Sequence, residues 1–273
     1  MYEEGRQKSA KMGVPLPPFQ EFWEAGIAKV PGENTEPVML AKFRADPAAN
    51  PLKNAYFGDL HMHTRNSFDA YIFNVRASPD EAYAYAKGGA IKHAAGFEMK
   101  LNSGPLDFLA VTDHSEYLGV LPAIDTPGDP YAAVPYAKDL FSKDPKQVNT
   151  AFRKFGDALR TGKRMEEFAD LRTVKSAWHD IIESAKKNYE PGKFTTLIGY
   201  EFTSAPEGRN LHRNVIFSGD SAPELPFTAL ESQNPEELWK WMDQQRTNVF
   251  ESLSISHNGN GSDGTMYERT KWD

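Results

Sequence analysis

The chain has 273 residues, a formal net charge of −7, no cysteine and 40% hydrophobic residues. This composition supports a sizeable buried core in one large domain or two small ones. The acidic balance provides no overall basic field for nucleic acid, and the lack of cysteine excludes disulfides, thiolate zinc sites and cysteine nucleophiles. No apolar run approaches the roughly 20 residues of a membrane-spanning helix.

The compartment is not fixed by the sequence. Met1–Arg6 has no apolar signal-peptide core, so a chain that naturally starts at Met1 is expected in the cytoplasm. A natural start further upstream would be compatible with the periplasm.

The chain divides into an N-terminal arm and one larger domain. Residues 1–54 contain prolines that interrupt every periodic pattern, which predicts an extended arm anchored by Phe19, Phe22 and Trp23. Residues 55–273 alternate strand-like and helix-like segments. Strands are predicted at 55–60, 106–111, 195–200, 214–217 and 252–256, and helices at about 79–87, 148–159, 174–185 and 235–242. This alternation is typical of an α/β fold with a largely parallel sheet, whose functional groups gather at the carboxyl ends of the strands.

Five of the seven histidines lie in polar tips that follow these predicted strands. The tips are Asp59–Thr64, Thr112–His114, Tyr200–Phe202, His212–Asn214 and Ser256–Asn258. Singly, each histidine is more often a surface or core residue than a ligand. Their coincidence at strand boundaries favours one shared metal site, and His93 and His179 fall outside this pattern.

His61 and His63 are two residues apart, so a strand would direct both imidazoles to one face. This spacing allows both to bind one cation at about 2.0–2.2 Å; chance, or a hydrogen-bonded pair, is the alternative. Asp59 would either ligate or hold a ligand imidazole by its free N–H. Asp69 would supply a further oxygen or act as a turn residue.

Two carboxylates are candidates for catalysis, Asp113 and Glu201. The triplet that ends in His114 also reads as a capping turn, whereas a buried Glu201 must be paired, solvated or bound to metal. A glutamate can bridge two cations through its two oxygens. Arg65 and Arg213 flank ligand candidates and would hold an anionic substrate, since guanidinium matches phosphate bidentately; ordinary surface salt bridges are the alternative.

These motifs resemble the polymerase and histidinol phosphatase (PHP) superfamily, and more closely a bacterial PHP-like branch catalogued as a domain of unknown function. Asp59–Thr64 with Ser67 is similar to the superfamily's opening D-L-H-x-H-T-x-x-S motif. Thr112–His114 and Gly199–Glu201 are similar to its second and third motifs, and His212 and His257 to its later histidines. The resemblance covers roughly residues 54–268.

The resemblance implies a distorted (β/α)₇ TIM-like barrel with two or three divalent cations. His61, His63 and Glu201 would bind the first, Glu201, His212 and His257 the second, and His114 would belong to the third. Many trinuclear relatives have histidine where this chain has Asp69, which puts the third position in doubt. The superfamily's last Asp-x-His motif is absent before Asp273, so we expect an incomplete barrel whose site is completed by a missing C-terminal segment or a second chain.

The resulting prediction is a metal-dependent phosphoesterase that uses metal-bound hydroxide on a small, phosphorylated anionic substrate. The nitrogen and oxygen ligands suit Zn²⁺, Mn²⁺ or Fe²⁺ without choosing among them. Two alternatives stay open: a metal-dependent hydrolase of another ester or amide, and a non-catalytic metal-binding remnant.

Overall fold

The computed structural model describes residues 54–267. The predicted arm at 1–54, with its anchors Phe19, Phe22 and Trp23, lies outside the described residues except for Asn54. None of the helices in the described part is both long enough and apolar enough for a membrane span.

A mixed sheet of five strands forms the centre of the described region. The strands are β1 (Gly58–Met62), β4 (Phe108–Val111), β5 (Thr195–Phe202), β6 (Arg213–Phe217) and β7 (Ser252–Ser256), and they lie in the order β1-β4-β5-β6-β7. The first three are parallel, whereas β6 is antiparallel to β5 and β7 is antiparallel to β6. Two very short strands, β2 (Ile91–Lys92) and β3 (Glu98–Met99), form a separate antiparallel pair.

The prediction of a (β/α)₇ barrel was wrong. No sheet closes on itself within residues 54–267, and two of the five strands run against a parallel arrangement. The connection between β5 and β6, residues 203–212, contains only one 3₁₀ turn. A crossover between parallel strands needs about a dozen residues or more, usually with a helix. This connection is too short, so β6 returns antiparallel along β5.

Seven α-helices accompany the sheet in the described residues. They are α1 (Phe68–Ile72), α2 (Pro79–Ala86), α3 (Val120–Ile124), α4 (Ala137–Leu140), α5 (Pro145–Thr161), α6 (Arg172–Asn188) and α7 (Pro235–Thr247). The start of α2 is as predicted: Ser78 accepts a hydrogen bond from the backbone of Glu81, whose side chain accepts one from Ser78. Such a capping box satisfies two backbone N–H groups that a helix start leaves unpaired.

The apolar stripe of α6 packs against the sheet. Val174, Trp178 and Ile181 are buried in one core cluster with strand residues such as Tyr200 and Phe217. The indole N–H of Trp178 donates to the carbonyl of Pro223 at 2.8 Å, so this buried polar group is satisfied. A second apolar cluster lies under α1 and α3 to α5.

The sheet is strongly curved. Asn214 on β6 donates a hydrogen bond of 2.8 Å to the carbonyl of Leu60 on β1, although β4 and β5 lie between these strands. Three strand intervals in a flat sheet would measure about 14 Å, since neighbouring strands are about 4.8 Å apart. His61 lies on β1, and His257 directly follows the end of β7. The rings of these two histidines stack with centroids 4.1 Å apart. Curvature therefore brings the outer strands together without closing the sheet.

We expect Trp178→Ala to lower the free energy of unfolding by about 3–5 kcal/mol, because the change removes a large, fully buried ring and leaves a cavity. Urea denaturation followed by circular dichroism measures the change. His179→Ala on the exposed side of the same helix should alter stability by no more than about 0.5 kcal/mol. Equal losses in the two variants would contradict this assignment of the core.

Candidate metal centre

The strand directions bring all the candidate ligands to one edge of the sheet. β1, β4 and β5 end at this edge, which places His63, His114 and Glu201 there. β6 begins at the same edge and β7 ends at it, because Phe202 pairs with Arg213 and Arg213 pairs with Ser256. His212 therefore precedes its strand instead of following one as predicted. It still reaches the shared edge because β6 is antiparallel.

Glu201 lies at the centre of the histidine cluster. Its side chain is only 1% exposed. Oε2 lies 2.8 Å from His63 Nε2 and 3.3 Å from His114 Nδ1. Oε1 lies 2.8 Å from His212 Nδ1 and 3.4 Å from His257 Nε2. One carboxylate thus has four imidazole nitrogens around it.

These close approaches are not well-formed hydrogen bonds. Both oxygens of Glu201 and Nε2 of His63 are buried, and none has a partner with hydrogen-bond geometry. Two ligand atoms on one cation at about 2.1 Å lie about 3.0–3.5 Å apart, depending on the coordination angle. The nitrogen–oxygen distances of the cluster fall in or near that range. Buried nitrogen and oxygen atoms that lie at this separation, without a hydrogen bond between them, are suited to bind a divalent cation.

The electrostatics of the cluster follow from the buried carboxylates. Burial opposes charge on Glu201, but His114, His212 and His63 outweigh it and hold the pKa of Glu201 well below its usual range. Burial also lowers the pKa of His63, yet the adjacent carboxylates of Asp69 and Glu201 outweigh it and raise this pKa to about 10. A cation must compete with the proton of His63, as is usual for imidazole ligands.

The other two rings near Glu201 behave differently. Burial outweighs the attraction of Glu201 at His61, whose pKa is lowered, and at His257, whose pKa falls to about 4. The ring of His61 lies between those of His63 and His257, with centroids 4.7 and 4.1 Å away. The imidazoles of His61 and His257 are therefore neutral and offer a lone pair without loss of a proton.

Three overlapping groups of side chains have donor atoms close enough to share a cation. They are His61, His63 and Glu201; His63, Asp69 and His114; and His114, Glu201 and His212. A neutral imidazole has only one nitrogen lone pair. Nδ1 of His63 lies 3.2 Å from both oxygens of Asp69, whereas Nε2 faces Glu201. His63 can therefore ligate in the first group while Asp69 accepts its Nδ1–H.

Asp69 has further partners that fix its position. Its Oδ1 accepts hydrogen bonds from Ser67 Oγ and the backbone of Ala70, both at 2.6 Å. Its Oδ2 lies 3.5 Å from His114 Nε2. Asp69 is thus part of the cluster, and it connects His63 to His114.

Several residues outside the predicted ligand set contact the histidines and hold them in place. Thr203 Oγ1 makes a short contact with His114 Nδ1, and the ring of Phe68 stacks on His114 with centroids 4.7 Å apart. Asn214 Oδ1 lies 3.1 Å from His61 Nδ1. Asp59, expected to hold an imidazole, instead accepts the backbone N–H of His61 at 2.8 Å. Asn214 thus makes the contact with the imidazole of His61 that was expected of Asp59. The signal in the sequence was its position two residues after His212, in the same polar tip.

Asp113 lies beneath the cluster, and its side chain is already engaged. The backbone and hydroxyl of Thr64 both donate to its carboxylate, the hydroxyl at 2.7 Å. Burial raises the pKa of Asp113 to about 6 despite these hydrogen bonds. Its contacts tie the end of β4 to the residue that follows His63.

The two arginines have different surroundings. Arg65 is exposed and lines a cleft of about 780 Å³ together with Asn66, Arg172 and His179. The guanidinium carbon of Arg213 lies 5.8 Å from the ring centroid of Trp239. Arg213 also approaches Ser256 Oγ at 3.5 Å.

The fold and this cluster define an α/β protein with a candidate metal centre. Residues 50–273 match the model of the family described as "Protein of unknown function (DUF3604)", and the chain belongs to that family. Comparison with curated proteins and with solved structures found no match.

We expect Glu201→Gln to abolish stoichiometric binding of divalent metal, because the amide keeps the shape of the side chain but removes the charge at the centre of the cluster. Metal content after dialysis against Zn²⁺, measured by mass spectrometry, tests this. Glu116→Gln is the matched control, since Glu116 is also buried but accepts from the backbones of Thr203 and Ala229. If both variants lose metal equally, the loss reflects damaged folding and not a lost ligand.

Proposed function

We propose that the protein is a metal-dependent hydrolase of phosphate esters. The observation that carries the proposal is the buried carboxylate of Glu201 with imidazole nitrogens of four histidines within 2.8–3.4 Å. Histidine and carboxylate ligands of this kind suit Zn²⁺, Mn²⁺ and Fe²⁺. Such a set serves hydrolysis better than structural metal binding, which in zinc proteins commonly uses cysteine.

His61, His63 and Glu201 have donor atoms close enough to share one cation. A second cation, held by His212 and His257 with Glu201 Oε1, is what the resemblance implies, and both imidazoles approach that oxygen, at 2.8 and 3.4 Å. Divalent cations in this arrangement lower the pKa of a coordinated water from about 15.7 towards about 7 and polarise the bond under attack. Glu201 spans the two positions because its oxygens face different histidines.

A third position is a smaller part of the proposal. His114 and Asp69 approach each other at 3.5 Å, and the resemblance to the PHP superfamily implies a third cation near His114. The carboxylate of Asp69 already accepts from His63, Ser67 and the backbone of Ala70. A third cation would therefore have to share Asp69 with these three donors.

The preference for an anionic substrate rests on Arg65 and on the resemblance. Arg65 follows His63 by two residues. The cleft that it lines holds a second guanidinium, that of Arg172, but also the carboxylates of Asp129, Asp180 and Glu183, so the place of Arg65 beside His63, and not the cleft as a whole, supports contact with an anion. Guanidinium groups bind phosphate oxygens in a bidentate fashion. Arg213 packs near Trp239, so we assign substrate contact to Arg65 and a packing role to Arg213. Asp113, held by Thr64, would position the loop after β1 and not transfer protons.

We expect purified protein loaded with Zn²⁺ or Mn²⁺ to hydrolyse members of a panel of phosphomonoesters and phosphodiesters, and chelation to abolish turnover. His61→Ala should lose both metal and activity, whereas His93→Ala, a change at an exposed histidine outside the three groups of ligand candidates, should keep both. Release of phosphate or alcohol, measured together with metal content, checks the prediction. Turnover confined to carboxylic esters or amides would favour the second hydrolase hypothesis, and stoichiometric metal without any turnover would favour the non-catalytic one.

We expect Arg65→Ala to raise KM for a phosphorylated substrate at least roughly tenfold, since a hydrogen bond to a charged group contributes about 1.5–3 kcal/mol. Arg213→Met is the matched control, because methionine retains packing against Trp239 without the charge. Steady-state kinetics on the best phosphoester from the panel separates the two variants. A KM unchanged in Arg65→Ala but raised in Arg213→Met would reverse the assignment.

A further inference from the structure

Asn214 makes two side-chain hydrogen bonds that link the ends of the site. It is the second residue of β6, close to the edge of the sheet that carries the site, and it is 2% exposed. Its Nδ2 donates to the carbonyl of Leu60 at 2.8 Å, and its Oδ1 lies 3.1 Å from Nδ1 of His61. Leu60 and His61 are consecutive residues of β1. A single buried amide thus contacts both the backbone of β1 and a candidate ligand.

The carbonyl of Leu60 determines the orientation of this amide. A carbonyl oxygen can only accept a hydrogen bond, so the NH₂ group of Asn214 must face it. The amide oxygen is then directed to His61, and the opposite orientation would place two oxygens against each other. The hydrogen-bond network therefore assigns the two ends of the amide.

The amide orientation in turn determines the tautomer of His61. An amide oxygen cannot donate, so Nδ1 of a neutral His61 must carry the hydrogen. The lone pair is left on Nε2, the only other ring nitrogen. The partner on one imidazole nitrogen commonly decides which nitrogen binds a metal.

We propose that Asn214 is a positioning residue that fixes His61 as the Nδ1–H tautomer and so makes Nε2 the ligand for a divalent cation. The inference rests on the metal site of the proposed function, but its first consequence concerns the metal-free protein. Asp59 does not fill this role, since its hydrogen bond with His61 is to the backbone N–H and not to the imidazole. The same amide also fastens β6 to β1 and so holds the His61 end of the site against the curved sheet.

The direct test is the tautomer of His61 in metal-free protein, measured by long-range ¹H–¹⁵N correlation in mildly alkaline buffer. The His61 signals are assigned by their loss in His61→Gln. We expect wild-type protein to show hydrogen on Nδ1 only. Asn214→Leu, which has nearly the same shape and no acceptor, should shift His61 to a mixture of tautomers. Wild-type protein with hydrogen on Nε2 of His61 would overturn the proposal.

The second readout is the affinity for Zn²⁺ alone, measured by competition with a chelator. We expect Asn214→Leu to weaken binding roughly 10–100-fold, the usual effect of losing a group that orients a metal-binding histidine. Asn214→Asp keeps an acceptor for His61 but sets a second oxygen against the carbonyl of Leu60. It should therefore lower the free energy of unfolding while it retains hydrogen on Nδ1 and most of the affinity. Equal weakening in both variants would mean that Asn214 acts only as a link between strands.

A matched control separates positioning from general stability. Asn188 is also buried and donates from Nδ2, to the carbonyl of Ser184 at 2.9 Å and to Asp80 at 2.8 Å. Asn188→Leu should lower the free energy of unfolding without changing the His61 tautomer or the Zn²⁺ affinity. If Asn214→Leu does not fold, Asn214→Asp and the wild-type tautomer still decide the question. Absence of Zn²⁺ binding or turnover in wild-type protein would count against the proposed function, whereas the tautomer in metal-free protein tests Asn214 alone.

Discussion

The buried carboxylate of Glu201 is the constraint on which the rest of the site depends. A charged group that is 1% exposed costs several kcal/mol of lost hydration unless other charges or a metal compensate it. The compensating nitrogens come from histidines at the ends of four different strands or their adjoining loops. No local segment could supply them. The charge of one side chain therefore requires the sheet to bring distant parts of the chain together.

Curvature of the sheet and a small residue beside the site meet this requirement. Gly199 is two residues before Glu201 on β5, and a Cβ there would lie 2.8 Å from Ile216 Cδ1 and 3.1 Å from Thr112 Cγ2. Neighbouring strands can therefore pack closely below the carboxylate only because residue 199 has no side chain. The antiparallel course of β6 and β7 then delivers His212 at a strand start and His257 after a strand end.

The sequence predicted the ligand cluster better than the architecture that carries it. The tips around His61, His114 and His257 were recognisable because histidine and carboxylate recurred at strand boundaries, and the stripe of α6 and the cap at Ser78 have strong local signals. The direction of β6 was missed because it depends on how the 203–212 connection packs, which periodicity does not encode. Asn214 was missed because its partners Leu60 and His61 lie 154 and 153 positions away along the chain, and its place beside His212 does not by itself indicate which residues it contacts.

The residue that contacts Nδ1 helps to explain why the pKa values of His61 and His63 shift in opposite directions. Burial alone would keep both His61 and His63 neutral. Asp69, a carboxylate, contacts Nδ1 of His63 and with Glu201 raises its pKa to about 10. Asn214, a neutral amide, contacts Nδ1 of His61, where burial prevails and the pKa is lowered. The two histidines beside Glu201 therefore differ in protonation. His61 offers a free lone pair, whereas His63 must lose a proton before it binds a cation.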